Sequence, residues 1–262
     1  MSSIVTEQGI LHYETIGRGQ PVILLHGWIN SWNVWRETMI ALSQQGNFRV
    51  YALDFWGFGE SAKSRSDAFK IDSYVSMVNE FMESLGMAAV PIAGHSMGGT
   101  VALTMALAHP ERVKSVAVVG SPIVGRTLNI FLKLAGYGWI ARLSWRVPGI
   151  LPSIMWMLLS GDSEKVRSMI SRDVQKTTLE SFFRSIGDLR TKDLRQEVGS
   201  LTIPVYGIYG RKDNIVSPRN AGILARRLPS AQITMMDDSR HFPMADEPEK
   251  MVRILREFLS PA

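Results

Sequence analysis

The sequence contains no cysteine among its 262 residues. This absence excludes disulfide scaffolds, cysteine-ligated zinc sites, iron–sulfur clusters and thiol nucleophiles together. With 45% apolar and 20% charged residues, the composition also argues against a disordered chain or a long coiled coil. A chain of this length can bury a sizeable core, as one large domain or as one domain with an insertion.

Long uninterrupted hydrophobic runs are also missing. The longest apolar stretch without charge, Val147–Gly161, is broken by two prolines and a glycine, whereas a membrane span needs about 20 apolar residues. The first residues show no basic segment followed by an apolar one, so no signal peptide is expected. These observations predict a soluble protein located in the cytoplasm.

Short apolar runs alternate with longer amphipathic segments at both ends of the chain. The runs have the composition of buried parallel strands; they are Val22–Leu25, Val50–Leu53, Val90–Ala93, Val113–Val119, Val205–Tyr209 and Gln232–Met236. The helical patterns are Trp32–Gln45, Ile71–Leu85, Gly98–Ala108, Pro218–Leu228 and Pro248–Leu259. This alternation predicts an α/β fold, with a mostly parallel central sheet and helices on both faces.

The alternation stops between residues 122 and 196. This stretch is helical in character and contains three tryptophans, Trp139, Trp145 and Trp156. We interpret it as a helical insertion, named the cap segment below. The rest of the chain, residues 1–121 and 197–262, is then predicted to form one core domain.

A glycine-rich motif, Gly94-His95-Ser96-Met97-Gly98-Gly99, directly follows the predicted strand Val90–Ala93 and opens a helical run. The pattern Gly-x-Ser-x-Gly in this setting is typical of a nucleophile elbow. A serine at so tight a turn needs small neighbours, which Gly94 and Gly98 provide. The helix start also directs unpaired N–H groups and its positive dipole end at the serine. Ser96 is therefore the predicted nucleophile.

A nucleophilic serine needs a base, and the chain has five histidines. His12 lies in an early strand-like segment, and His26 lies at the end of a predicted strand. His95 adjoins the serine, so its ring cannot easily return to it, and His109 stands at a helix end. His241 lies in a loop between the last strand and the last helix, where such folds place catalytic groups. We therefore predict His241 as the base.

The third group should be a carboxylate that orients the imidazole and stabilises its charged form. Asp213 follows the predicted strand Val205–Tyr209 and so lies at its carboxyl end. The chain order of serine, aspartate and histidine is then the one expected for this elbow. Asp237 and Asp238 are close in sequence to the histidine and are interpreted as turn and surface residues.

An oxyanion hole needs two preorganised N–H donors. One is expected from Met97, the residue after the nucleophile. The other is expected from the loop after the first predicted strand, and we assign it to the main-chain N–H of Trp28.

Five motifs together resemble the α/β-hydrolase superfamily and follow its order along nearly the whole chain. They are Leu24-Leu25-His26-Gly27-Trp28, Leu53-Asp54-Phe55-Trp56-Gly57-Phe58-Gly59-Glu60-Ser61, Gly94-His95-Ser96-Met97-Gly98-Gly99, Gly210-Arg211-Lys212-Asp213 and Arg240-His241-Phe242. The resemblance implies the α/β-hydrolase fold and a capped serine hydrolase of the carboxylesterase or lipase kind. Because this fold hosts many reactions, the resemblance says little about the substrate.

The residues also exclude some chemistry. Epoxide hydrolases and haloalkane dehalogenases of this superfamily carry an aspartate at the elbow, whereas this chain has Ser96. Gly57-Phe58-Gly59 belongs to no phosphate-binding motif and is interpreted as a structural turn after a strand. The histidines and carboxylates lack metal-ligand spacing, so no metal and no cofactor are predicted.

The predicted reaction is acyl transfer from an ester to water through an acyl-enzyme on Ser96. Several alternatives stay open: a carbon–carbon bond hydrolase or cofactor-free perhydrolase, a thioesterase or acyltransferase, and a ligand receptor with slow turnover. The tryptophans and methionines of the cap segment favour an apolar acyl chain or an aromatic group. The predicted pocket residues are Trp28, Trp56, Trp139, Trp156 and Phe242.

Positive charge is concentrated in one part of the chain. The formal net charge is +5, and the cap segment alone holds 12 lysines and arginines against 6 acidic residues, which leaves the core near neutral. The cap segment could therefore touch anionic lipid surfaces transiently, attract substrates that carry a carboxylate, or be a solvated face. We expect a small-molecule ester as substrate and no nucleic acid as partner.

Overall fold

The computed structural model describes residues 2–45, 47–63, 68–146, 153, 157, 159 and 161–260. Within these residues one sheet has eight strands: β1 Ser2–Thr6, β2 Gly9–Gly17, β3 Gln20–Leu25, β4 Phe48–Leu53, β5 Val90–His95, β6 Val113–Val119, β7 Val205–Gly210 and β8 Gln232–Met236. Their order is β1-β2-β4-β3-β5-β6-β7-β8. The strands β1, β2 and β4 pair antiparallel, and all other neighbours pair parallel.

Helices connect the parallel strands, as crossover connections between such strands require. Their bounds are α1 Arg36–Gln45, α2 Ile71–Ser84, α3 Met97–Ala108, α4 Ile130–Ala135, α5 Gly138–Arg146, α6 Glu164–Gln175, α7 Leu179–Leu189, α8 Arg219–Arg227, α9 Pro243–Asp246 and α10 Pro248–Leu259. Helix α1 packs against α10, and α2 packs against α3. The predicted mostly parallel α/β fold is therefore confirmed.

Burial explains which strands have continuous apolar sequences and which do not. Residues of β3, β4 and β5 are almost all buried, which explains their continuous apolar runs. The hairpin of β1 and β2 lies at the sheet edge, and β1 alternates between half-buried and exposed residues. No strand is predicted for Ser2–Thr6, because a five-residue edge strand with an exposed Val5 lacks the apolar run used to identify the others.

The cap segment leaves and re-enters the core at adjacent points. Val124 and Asp193 form an antiparallel bridge. The N–H of Gly125 donates to the Lys192 carbonyl at 2.8 Å, and the N–H of Leu194 donates to the Ile123 carbonyl at 2.9 Å. This narrow connection is the basis on which we propose residues 122–196 as an inserted cap and the rest as the core domain.

In the part of the chain that the structure describes, no helix is both long and apolar enough to cross a membrane.

Candidate active site

Ser96 stands at a sharp turn between β5 and α3. Its φ of 51° and ψ of −118° lie where residues other than glycine rarely fall. The main-chain N–H of Ser96 donates to the Val119 carbonyl at 2.8 Å, which fixes the turn against β6. A strained backbone between a parallel strand and a helix is the geometry of a nucleophile elbow.

The glycines around Ser96 are required by close packing of main chains. A Cβ atom on Gly94 would lie 2.2 Å from the Gly98 carbonyl oxygen, and one on Gly98 would lie 2.4 Å from the Leu25 carbonyl oxygen. Strand β5 and helix α3 therefore fold back on each other, and α3 starts directly against the end of β3. Any side chain at these two positions would push the serine out of place.

His241 lies between β8 and α9, two residues before the first residue of α9, in the loop predicted for it. Its Nδ1 atom lies 2.8 Å from Oδ2 of Asp213, and both side chains are buried. Because an ionised carboxylate only accepts hydrogen bonds, we assign the proton to Nδ1, which leaves a lone pair on Nε2. His241 and Ser96 line the same cavity.

The carboxylate of Asp213 is held by the main chain as well as by the histidine. Its Oδ1 atom accepts hydrogen bonds from the N–H groups of Ile215 at 2.8 Å and Val216 at 2.9 Å. These bonds leave Oδ2 directed at His241. The loop after β7 therefore fixes the carboxylate before any substrate is present.

The cavity beside Ser96 has a volume of about 30 Å³. The residues that line it are Trp28, Ile29, Asn30, Ser96, Leu132, Leu159, Ile170, Ile215, His241 and Phe242. Leu132, Leu159 and Ile170 come from the cap segment, so core and cap segment enclose the cavity together. The lining is mainly apolar, and no lysine or arginine is among these described residues.

The loop that follows β3 runs directly against the serine. A Cβ atom on Gly27 would lie 3.1 Å from the Ser96 Cβ. The His26 ring fixes this loop: its Nε2 accepts from the Phe55 N–H at 2.9 Å, so its Nδ1 carries the proton and donates to the Gly27 carbonyl at 2.7 Å. Burial lowers the pKa of His26, which keeps the ring neutral and consistent with this role.

Trp28, the next residue, joins this loop to the cap segment. Its indole Nε1 donates to the Phe182 carbonyl of α7 at 2.8 Å, and the two rings lie 4.6 Å apart. The Trp28 side chain also lines the cavity. This tryptophan therefore fixes the cap segment over the serine while its own main chain stays in the loop beside Ser96.

His95 contacts His241 without being a candidate base. Its Nε2 lies 2.8 Å from the main-chain oxygen of His241, to which it donates. The two rings are 4.7 Å apart. Burial, with His241 close by, holds the pKa of His95 well below its usual value. The glycine-rich motif around Ser96 thus supplies a neutral, buried ring that supports the loop carrying His241.

The other histidines lie outside the site. The Nδ1 atom of His12 lies 2.8 Å from Oδ2 of the buried Asp54. The same oxygen accepts from the Glu60 N–H, and a Cβ atom on Gly59 would lie 2.2 Å from it. The second glycine motif therefore wraps around a carboxylate, which agrees with its interpretation as a structural turn. His109 stands at the carboxyl end of α3.

The predicted pocket residues do not all meet at the cavity. Trp28 and Phe242 line it. Trp56 is buried elsewhere in the core, and Trp139 is 68% exposed on the cap segment; neither is among the lining residues. Trp156 lies outside the described residues.

Asn30 is a site residue that the sequence did not indicate. It lines the cavity and is 3% exposed. Its Nδ2 donates to the Trp28 carbonyl at 3.2 Å, whereas its Oδ1 is buried without a hydrogen-bond partner in the described structure. A buried amide oxygen without a partner beside a cavity is a site for a substrate or water donor. The only indication in the sequence of a role in the site was the position of Asn30, close after His26-Gly27-Trp28.

Two acids of the cap segment are buried near the site. Burial raises the pKa of Asp162 to about 6, with the charges of Asp246, His241 and Arg240 also acting on it. Burial likewise raises the pKa of Asp173 to about 6, although Ser31 donates a hydrogen bond to its Oδ2 at 3.0 Å. Both acids are therefore less readily ionised than exposed aspartates.

The described residues contain no group of three or more histidine, aspartate or glutamate side chains placed to hold a metal ion. The polar groups at the cavity are instead a serine, a histidine paired with an aspartate, and an amide. This set fits nucleophilic acyl transfer.

Residues 20–248 match the model of a protein family described as alpha/beta hydrolase fold. The chain belongs to this family. The resemblance noted in the sequence is therefore confirmed.

Curated relatives of the chain include esterases. The pimeloyl-(acyl-carrier protein) methyl ester esterase of Vibrio campbellii is 30% identical over 272 residues, covering 95% of this chain and 98% of that relative. The enzyme of the same name from Aeromonas hydrophila is 27% identical, covering 94% and 98%. The predicted enzyme class, a hydrolase acting on esters, agrees with these names.

Solved structures agree on the fold. An esterase from Exiguobacterium antarcticum superimposes with a TM-score of 0.85 at 22% identity, covering 98% of both chains. The enol-lactonase of Burkholderia xenovorans superimposes with a TM-score of 0.86 at 21% identity, covering 99% of this chain and 100% of that one.

Proposed function

We propose that the protein hydrolyses carboxylic esters that carry a small apolar or aromatic group, with Ser96, His241 and Asp213 as its catalytic triad. The observation that carries the proposal is the hydrogen bond from His241 to Asp213 at one wall of the cavity that Ser96 also lines. The names of the curated relatives support ester hydrolysis as the reaction class.

The proposed reaction has two acyl-transfer steps. Nε2 of His241 removes the proton of the Ser96 hydroxyl as Oγ attacks the ester carbonyl, and the imidazolium that forms is stabilised by Asp213. The same histidine then protonates the departing alcohol, which leaves an acyl-enzyme. Water repeats the sequence on the acyl carbonyl, which releases the acid and returns the serine.

The tetrahedral intermediates in this scheme carry a negative oxygen. The N–H of Met97 belongs to the first turn of α3, whose N–H groups have no acceptor within the helix. The N–H of Trp28 belongs to the loop held against Ser96 by the neutral ring of His26. We propose these two N–H groups as the oxyanion hole, where one such donor is typically worth about 10²–10³ in turnover.

The cavity supports an apolar group as the specificity element. Its lining is dominated by Leu132, Leu159, Ile170, Ile215 and Phe242. The absence of a lysine or arginine among the described lining residues gives no support for a carboxylate-bearing substrate. The basic residues of the cap segment therefore call for another explanation.

A panel of p-nitrophenyl esters of increasing acyl length tests the proposal. Ser96→Ala should abolish turnover of every ester, whereas Ser84→Ala, which changes an exposed serine at the end of α2, should leave it unchanged. Turnover of thioesters in preference to esters would favour the thioesterase alternative. Ester turnover that survives in Ser96→Ala would overturn the assignment of the nucleophile.

A further inference from the structure

The exposed large apolar side chains are concentrated on the cap segment. Among the described residues, the core exposes only three of them, Val5, Ile10 and Ile40. The cap segment exposes the others: Ile130, Phe131, Leu134, Tyr137, Trp139, Leu143, Trp145 and Met157. Soluble proteins rarely expose such a concentration without a partner.

Helix α5 arranges apolar and cationic side chains on one exposed face. Trp139, Arg142, Leu143 and Arg146 are spaced at i, i+3, i+4 and i+7 and are all exposed, so they lie along one side of the helix. Trp139 protrudes most, at 68% exposure, and Leu143 is 54% exposed. We name these four residues the α5 face.

Residues 122–161, which include α5, contain four lysines and arginines and no aspartate or glutamate. The acids of the neighbouring helix α7 have other partners: Glu180 pairs with Arg184, and Asp188 accepts a hydrogen bond from the Ile71 N–H. Among the ion pairs of the described residues, none uses Arg142 or Arg146. Arg142 instead lies over the ring of Phe183, 5.5 Å from its centroid.

In the second half of the cap segment, the lysines form ion pairs with acidic residues of the core. Lys165 pairs with Glu37 and Lys176 with Glu60. Lys192 pairs with Asp72 at 2.7 Å. Part of the positive charge of the cap segment therefore fastens it to the core. Arg142 and Arg146 of the α5 face form no ion pair among the described residues, and neither do Arg167 and Arg172 of α6.

We propose that the α5 face binds the surface of an anionic lipid bilayer. Tryptophan is favoured at the level of the lipid headgroups, and long arginine side chains beside it can lie along apolar surface while their charged ends stay in water. A protruding Trp139 can enter a fluid interface, whereas a folded partner would need a matching groove to receive it. The arginines next to it match the charge of anionic headgroups.

Binding of the α5 face to a bilayer would place the active-site cavity directly behind the bilayer contact. Helix α4 packs against α5. Its Leu132 lines the cavity, while its neighbours Ile130 and Phe131 are exposed. A substrate that dissolves in the interface would therefore meet the enzyme next to its cavity.

Co-sedimentation of the full chain with vesicles tests the proposal. One vesicle is pure phosphatidylcholine, and the other contains equal parts of phosphatidylcholine and phosphatidylglycerol. We expect binding to the anionic vesicles that weakens as salt is added. The double variant Arg142→Gln with Arg146→Gln should bind about 25-fold more weakly, since each cation near an anionic surface contributes a factor of about five.

Matched control variants make the same kinds of substitution at exposed positions outside the α5 face. Arg226→Gln with Arg227→Gln removes the same charge from two exposed residues of α8 and should bind as the wild type does. Trp139→Gln with Leu143→Gln should weaken binding, whereas Val5→Gln with Ile10→Gln, an exposed pair on the β1–β2 hairpin, should not. Thermal melting of each variant verifies that it is folded.

Equal binding to both vesicles, no binding to either, or equal losses in the two charge-matched double variants would each overturn the proposal. Dissociation of a wild-type oligomer by Trp139→Gln with Leu143→Gln, without vesicle binding, would also overturn it and would make the α5 face a contact between copies of the chain.

Discussion

The Nδ1 atom of His241 lies 2.8 Å from Oδ2 of Asp213, although 28 positions separate the two residues. Two main-chain N–H groups hold the other carboxylate oxygen, so the pair is fixed in one arrangement. If Asp213 stabilises the imidazolium, Asp213→Asn should lower kcat for a p-nitrophenyl ester by about 10³–10⁴-fold, with little change in KM.

The control for this variant is Asp237→Asn. Asp237 is an exposed acid that pairs with Arg211 on the surface. Because surface substitutions usually have small effects, Asp237→Asn should change kcat by less than about twofold. Equal activity losses in the two variants would argue against a catalytic role for Asp213.

His95 should act as a positioning residue through its hydrogen bond to the main chain of His241. His95→Phe keeps a ring but removes the donor, so kcat should fall while KM stays nearly constant. His95→Gln can place an amide N–H near the original Nε2 and should restore part of the lost kcat. Equal kcat in the two variants, with equal melting temperatures, would show that the hydrogen bond does not position the base.

The cavity should limit the length of the acyl group. Because its volume is about 30 Å³, the protein should hydrolyse acetyl esters in preference to octanoyl esters. Leu132→Ala removes a buried side chain from the wall and should shift the optimum of kcat/KM toward longer chains. Leu134→Ala, in the same helix but exposed, is the matched control and should leave the optimum in place. An unchanged optimum in Leu132→Ala would place the acyl group elsewhere.

Stability should depend on pH through the buried acids of the cap segment. The folded pKa of Asp162 is raised to about 6, so the folded form binds its proton more tightly than the unfolded chain does. The associated stability is fully present below the unfolded pKa of about 3.9 and is lost as pH rises through 6. Asp162→Asn stays neutral and should therefore melt above the wild type at pH 7, with a smaller difference at pH 4.5.

Asp237→Asn again serves as the control, because it makes the same substitution at an exposed acid. A difference for Asp162→Asn that is the same at both pH values would contradict the assignment of burial as the cause.

The sequence predicted the parts of the molecule that have local signals. Val113–Val119 and Gln232–Met236 were located with their final bounds. The first is almost fully buried, and the second is mainly half-buried. The sharp turn at Ser96 was predicted from its glycine neighbours, which main-chain packing requires. Asp213 and His241 were selected by their positions after strands, and the structure places them in contact.

The walls of the cavity could not be predicted in the same way. Trp139 and Leu132 belong to adjacent helices of similar composition, yet Trp139 is exposed and Leu132 faces the cavity. Which side of a short helix faces inward depends on how α4 and α5 pack on α7. No local sequence pattern predicts this packing. The role of Asn30 likewise depends on the path of the loop after β3.

The central claim is that Ser96 forms the covalent intermediate, and labelling with a fluorophosphonate followed by peptide mass spectrometry tests it most directly. Wild-type protein should carry one adduct, on the peptide that contains Ser96, and should lose ester hydrolysis in step with labelling. Ser96→Ala should carry none, while Ser84→Ala should be labelled as the wild type is. An adduct on another residue that removes the activity, or hydrolysis that survives full labelling of Ser96, would contradict the account.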